Sequence, residues 1–107
     1  MTMQDLKTRT PEELDRLEFE LMRRENYVAA RAVSYFKEFY GKTVKVVKGR
    51  KVPIGTVGVC FWMGQTNYGK YGDPWGIYTK ERIGIKNEAG EVFWTALDNV
   101  ELVRGEA

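Results

Sequence analysis

The chain contains no histidine and only one cysteine, Cys60, among its 107 residues. The lack of histidine excludes a Ser-His-Asp triad, a histidine metal ligand and a side chain that ordinarily titrates near neutral pH. A single cysteine cannot form a disulfide within the chain, so we expect a reducing, cytoplasmic environment. No run of about 18 apolar residues and no signal-peptide pattern occurs, so we expect neither a membrane span nor export.

The side chains that are present offer little catalytic chemistry. Cys60 has no base or acid near it in the sequence, which favours a strand-filling thiol over a reactive one. The carboxylates between residues 12 and 20 alternate with arginines at ion-pair spacing and stand where they complement a helix dipole. We therefore predict a protein that is not an enzyme and has no catalytic residue, metal site or cofactor.

Residues 10–40 have a helical composition and pattern, with a single proline at their start and no glycine. Thr10, Pro11 and Glu13 form the signature of a capping box, and Gly41 supplies a stop. Apolar residues recur at steps of three and four, with an interruption near residues 23–26. The pattern leaves two alternatives open: a helical hairpin bent at the interruption, or a long helix of about 45 Å that pairs with a second copy.

After Gly41 the apolar period changes from 3.6 to 2 and glycines become frequent, which predicts strands. We expect five short strands, at residues 43–47, 55–62, 91–95 and 100–103 and a third in chain order that begins at residue 77 or 82 and ends at residue 86. A 3₁₀ turn is expected at 96–99. The alternation predicts a set of inward-facing residues, namely Val44, Val46, Val57, Val59, Ile83 and Ile85. Five strands within about 60 residues indicate a small, strongly bent barrel.

Residues 44–51, Val-Lys-Val-Val-Lys-Gly-Arg-Lys, followed by Gly-Thr-Val-Gly-Val at 55–59, resemble a KOW motif. Residues 82–86 and 92–102 are similar to the later strands of the SH3-like barrel that carries this motif. The resemblance covers about residues 41–104 and implies that Gly58 is the characteristic glycine of the motif and that residues 48–51 form its contact loop. Such domains occur in ribosomal proteins and transcription elongation factors, so the resemblance implies contact with RNA, DNA or a polymerase.

The fold class expected from these patterns is α+β. It combines an N-terminal long helix or helical hairpin, residues 1–40, with a five-stranded SH3-like, KOW-type β-barrel, residues 41–107.

Charge is unevenly distributed along the chain. The formal charge is +2, but residues 41–72 hold six basic side chains and no acidic one. The basic side chains of this stretch can neutralise phosphates or can simply be solvated. Aromatic residues are concentrated nearby, between residues 62 and 78, where they can stack on bases or fold back to complete a small core.

Our leading hypothesis is a small non-enzymatic module that binds RNA or DNA. The residues predicted to contact nucleic acid are Lys45, Lys48, Arg50, Lys51, Trp62, Tyr68, Lys70, Tyr71 and Trp75. The alternative is a protein-interaction adaptor that docks on a protein partner or a second copy through the aromatic loop or the helix, with Leu14, Leu17 and Leu21 as the contact stripe. By analogy, a barrel this small with a helical extension resembles an accessory protein of a bacterium or phage.

Overall fold

A computed structural model of the chain describes residues 3–67 and 79–103. Two helices are followed by a five-stranded antiparallel sheet, so the expected α+β class is confirmed. The elements are a 3₁₀ helix at Met3–Thr8, α1 at Pro11–Arg23, α2 at Tyr27–Phe39, β1 at Thr43–Val46, β2 at Val57–Asn67, β3 at Thr79–Lys86, β4 at Val92–Ala96, a second 3₁₀ helix at Leu97–Asn99 and β5 at Val100–Leu102.

The first helix starts with the predicted capping box. The amide of Glu13 donates to the Thr10 hydroxyl and the amide of Thr10 donates to the Glu13 carboxylate, both at 3.2 Å. The hydrogen bond from the Thr10 amide is the largest cause that lowers the pKa of the Glu13 carboxyl, because it favours the charged form. The cap therefore fixes where the helical segment begins.

The interruption in the apolar pattern is the turn of a helical hairpin. Glu25 has φ +60°, outside the helical region, and the Asn26 side chain accepts from the amide of Ala29 at 3.3 Å to start α2. The Lys37 amine on α2 reaches Asp15 at 2.7 Å and Glu18 at 2.5 Å on α1. Of the two sequence alternatives, the bent hairpin is the one the structure contains.

The strands are hydrogen-bonded in the order β4-β3-β2-β1-β5, all antiparallel. The five predicted strands are all present, although β2 runs five residues beyond its predicted end, to Asn67. The predicted 3₁₀ turn is also present, at Leu97–Asn99. It joins β4 and β5, which lie at opposite edges of the sheet.

The predicted inward orientation of Val57 and Val59 is wrong, because both side chains are exposed. Register explains the error: buried Val44 on β1 pairs with Gly58, so the residues on either side of Gly58 point to the other face. Val44, Val46, Ile83 and Ile85 are fully buried as predicted. Cys60 follows Gly58 onto the same side as Val44, and a β-bulge between Cys60 and Trp62 then shifts the alternation, so that Met63 is the next buried side chain of β2.

One apolar core joins the helices to the sheet. Its members include Leu6 and Phe36 from the helical segment and Cys60, Met63 and Ile83 from the strands. We call the side of the sheet that carries these buried residues the inner face. The opposite side, which carries Val57 and Val59, is the outer face.

A polar cluster fastens α2 to the sheet beside this core. The Arg31 guanidinium donates to the Glu81 carboxylate and to the Thr79 carbonyl, each at 2.9 Å. The Gln65 amide donates to the same carboxylate at 2.9 Å and to the Val28 carbonyl at 3.1 Å. The carboxylate of Glu81 therefore has both a countercharge and a neutral donor.

Candidate nucleic-acid interface

Three aromatic rings gather on the outer face, across β2, β3 and β4. The strand register places Trp62, Gly84 and Trp94 in one row. Trp94 lies edge-to-face against both Trp62, at 5.3 Å between ring centroids, and Phe61, at 5.5 Å. Because Trp94 is still 48% exposed, the cluster presents aromatic surface to solvent.

Two glycines provide the space that these rings occupy. A Cβ at Gly84 would lie 2.6 Å from the Trp94 ring, and a Cβ at Gly64 would lie 2.4 Å from the Trp62 ring. Any side chain at residue 64 or 84 would therefore force the indole to move. Packing of an aromatic ring over a strand glycine also restricts the ring to one position.

Basic side chains share the outer face with the rings. The alternation and register give the outer face of β1 to β4 four of them: Lys45, Lys80, Arg82 and Lys86. The only carboxylate in the described residues of these four strands is that of Glu81, which points to the inner face and pairs with Arg31. The Lys86 amine stands 5.6 Å above the Phe61 ring, in a cation–π contact. Within the described strands the outer face thus combines aromatic surface with positive charge alone, from β1 through β4.

The basic loop between β1 and β2 is anchored at several points. Val52 is buried in the core, and the amides of Val47 and Lys48 donate to the Asn99 carbonyl at 2.8 and 3.3 Å. Farther along the loop, the Gly55 amide donates to the Val46 carbonyl at 2.8 Å. Gly49 has φ +111°, a left-handed conformation that favours glycine. The loop is therefore held at both ends and in its middle.

The anchored loop leaves its cations outside. Lys48, Arg50 and Lys51 are all exposed, and none lies within 4.0 Å of a carboxylate in the described parts of the chain. The ion pairs seen between described residues all involve Arg23, Arg24, Arg31 or Lys37, which belong to the helical hairpin or its turn. The basic groups of the loop and the outer face are thus free of carboxylate partners within residues 3–67 and 79–103.

Lys45 has an acidic neighbour at longer range. It pairs in register with Glu101 of β5, so the two side chains share the outer face. They are not in ion-pair contact.

Four predicted contact residues, Tyr68, Lys70, Tyr71 and Trp75, lie outside the described residues. Trp62 is half-buried on the outer face, beside residues that the sequence did not single out: Phe61, Trp94, Lys80, Arg82 and Lys86. The alternation of residues 92–96 could have identified Trp94, because it places residues 92, 94 and 96 on one face of the strand. The bulge that turns Trp62 toward it carries no recognisable sequence mark.

The leucine stripe lies within the protein's own packing. Leu14 is only 6% exposed and belongs to the core, while Leu17 and Leu21 are half-buried and pack against it. The expectation that Leu14 contributes an exposed docking stripe is therefore corrected, because the hairpin turn folds α2 back along α1 and covers it. The exposed apolar residues of this region are instead Phe19, Met22 and Tyr27.

Cys60 is an inner-face side chain with no exposed surface. Burial raises its pKa to about 11, since a thiolate is poorly solvated there. Among residues 3–67 and 79–103 no three metal-binding side chains come together. None of the helices described is long and apolar enough to cross a bilayer.

Comparison with known proteins gave no significant match to a family model, to a curated protein or to a solved structure.

Proposed function

We propose that this protein is a small non-enzymatic nucleic-acid-binding module. The observation that carries the proposal is the absence of carboxylates from the described outer face of β1 to β4, where four cations share the face with the rings of Phe61, Trp62 and Trp94. Phosphates bind such a face because Lys and Arg displace the counterions of the polyanion. The anchored loop adds Lys48, Arg50 and Lys51 as further phosphate contacts.

We further propose that the sheet is an SH3-like barrel of the KOW type. Three features support this: β1 pairs with both β2 and β5, a 3₁₀ turn joins the two edge strands, and Gly58 stands at a tight site. A Cβ at Gly58 would lie 2.5 Å from the Ile85 side chain and 2.6 Å from the Lys86 carbonyl oxygen. Such close strand approach suits a small, strongly bent sheet.

The test is binding of labelled 20-residue DNA and RNA oligonucleotides, single-stranded and duplex, measured by fluorescence anisotropy at 50 and 200 mM salt. The three loop contacts alone predict that affinity falls at least about 20-fold for a single strand, or about 40-fold for duplex DNA, over this fourfold rise in salt, and contacts to the outer face steepen the fall. Absence of binding to every oligonucleotide at about 50 mM salt overturns the proposal.

A pair of charge-matched variants locates the contact. The loop variant carries Lys48→Glu, Arg50→Glu and Lys51→Glu, and the control carries the same three charge reversals at exposed Lys7, Arg9 and Arg16. We expect the loop variant to lose binding and the control to retain most of it. Equal losses in the two variants would mean that only net charge matters and that the loop is not the contact.

A protein-interaction adaptor remains the second candidate, favoured by apolar side chains near the hairpin turn. Phe19 is 67% exposed, and Met22 and Tyr27 are also exposed. If these residues mediate self-association, sedimentation velocity will show a concentration-dependent dimer that Phe19→Glu abolishes. A monomer at every concentration up to about 200 μM, far above a typical specific dimer's dissociation constant, contradicts self-association.

A further inference from the structure

The exposed rings of the outer face bear on whether the nucleic-acid ligand is single-stranded or a duplex. This step rests on the function proposed above and concerns which nucleic acid fits. In a duplex the flat faces of the bases are already stacked on one another, and only their edges and the phosphates are accessible. An aromatic side chain can stack on a base only where that base is unpaired.

We propose that the outer face binds an unpaired polynucleotide strand, with a base stacked on Trp94 and phosphates at the cations of β3. Phosphate contact alone requires no aromatic surface, yet Trp94 keeps 48% of its surface exposed on edge strand β4, next to the cations of β3. The exposed side chains of Val57, Val59 and Val92 extend the apolar surface on the same face. An unpaired strand supplies both matching components, flat bases and a charged backbone.

The cations stand on both sides of the rings along β3. Arg82 and Lys86 flank Gly84, whose position is covered by the Trp94 ring. The two cations are four positions apart along the strand, about 13 Å at the ordinary rise of a β-strand. A strand that crosses the sheet with a base on Trp94 can therefore place a phosphate toward a cation on either side.

The rings are also fixed before any ligand arrives. Trp94 packs against Phe61, Trp62 and the backbone at Gly84, and the Lys86 amine is held over Phe61. Side chains that are already ordered lose little conformational entropy on binding. The stacking free energy is then available for affinity, and it is insensitive to base identity because every base has a flat face. We expect little sequence preference.

An acidic peptide shares the charge of a polynucleotide but has no flat bases. Poly-glutamate is therefore the competitor that separates charge from stacking. The affinity of a ligand held by charge alone falls with salt, whereas the affinity of a ligand that also stacks falls when the aromatic ring is removed as well.

The experiment uses the intact chain with labelled 15-residue oligo-dT and oligo-U, a 15-base-pair DNA duplex and labelled poly-glutamate, at 100 mM salt. We expect at least one single strand to bind at least 10-fold more tightly than the duplex and the poly-glutamate. Trp94→Ala should weaken that binding about 5- to 150-fold and leave the salt slope unchanged, because it removes a stack and no charge. Trp94→Phe should recover most of the affinity.

Phe19→Ala is the matched control, since it removes a still more exposed ring from the helical hairpin and should leave affinity unchanged. Circular dichroism of each variant establishes that it is folded, and Trp94→Leu, which keeps an apolar side chain but has no ring, supplies the result if Trp94→Ala does not fold. Duplex binding as tight as single-strand binding, or single-strand binding that survives removal of the Trp94 ring, overturns this inference and leaves the proposed function standing. Preference for poly-glutamate, or failure to bind any nucleic acid, overturns both.

Discussion

Removal of the Arg31 side chain should destabilise the protein more than removal of its partner Glu81. The two residues are unequally buried: the Glu81 side chain is 8% exposed and that of Arg31 is 33% exposed. Arg31→Ala leaves a carboxylate away from water with only the Gln65 amide as a donor. Glu81→Ala leaves a guanidinium that water can reach and that still donates to the Thr79 carbonyl.

The magnitude follows from the cost of stranding a buried charge. Breaking a fully buried ion pair by removing one partner costs about 3 to 5 kcal/mol. Because Arg31 is a third exposed, we expect Arg31→Ala to lower the free energy of unfolding by about 2 to 3 kcal/mol and Glu81→Ala by about 1 to 2 kcal/mol. For a chain of about 100 residues each kcal/mol lowers the melting temperature by roughly 4 °C.

Urea denaturation followed by far-UV circular dichroism measures these differences. The control is Arg23→Ala, which removes an exposed ion pair to Glu20 and should leave the free energy of unfolding nearly unchanged. In the Arg31→Ala/Glu81→Ala double variant, we expect a coupling energy of at least about 1 kcal/mol, since the carboxylate is no longer stranded. Arg31→Ala no more costly than Arg23→Ala, or a coupling near zero, would refute this account of the cluster.

Three further predictions concern packing, pH and thiol reactivity. Gly58→Ala should lower the free energy of unfolding by about 2 to 3 kcal/mol, measured in urea, because the new methyl would lie 2.5 Å from the Ile85 side chain; a loss below about 0.5 kcal/mol would contradict this close approach. Hydrogen bonds to Asp15 and Glu18 raise the pKa of Lys37 above its ordinary 10.5, so its stabilising effect is complete below pH 10.5 and is lost as the pH rises through the folded-state value. The difference in melting temperature between wild type and Lys37→Met should accordingly shrink above that pH, and a constant difference would argue against it. Cys60, buried and with its pKa raised to about 11, should react with a thiol reagent at pH 8 only in denaturant, and equally fast labelling of native protein would contradict its burial.

The features that local chemistry determines could be predicted from the sequence. The break before Asn26 is one of two alternatives that the apolar pattern leaves open, but the Thr10–Glu13 capping box and the 3₁₀ turn before β5 each depend on residues within four positions of one another. Such signals need no knowledge of distant partners. The same holds for the change from helical to strand periodicity after Gly41.

The orientation of β2 could not be predicted in this way, because it depends on its partner strands. Simple alternation favoured Val57 and Val59 as core residues, whereas the register with Val44 selects Gly58 for the inner face. The bulge after Cys60 then changes which residues of the same strand are buried. The candidate site inherits this difficulty: the Trp62–Trp94 contact joins residues 32 positions apart and follows from register and bulge together.

Under the function proposed above, the inner face of the sheet provides stability and the outer face provides recognition. The inner face already has its cover, since the Met3–Thr8 3₁₀ helix and α2 pack on β2 and contribute Leu6 and Phe36 to the core. When one face of a sheet is covered by the core, polar side chains are sufficient on the other face. Large aromatic residues there add little stability, because much of their surface stays in contact with water. Exposed tryptophan among unpaired cations is therefore better explained by a ligand than by the fold. Two variants distinguish stability from recognition. Arg31→Ala should lower the free energy of unfolding without changing the nucleic-acid affinity of the molecules that remain folded. Trp94→Phe should leave the urea midpoint nearly unchanged.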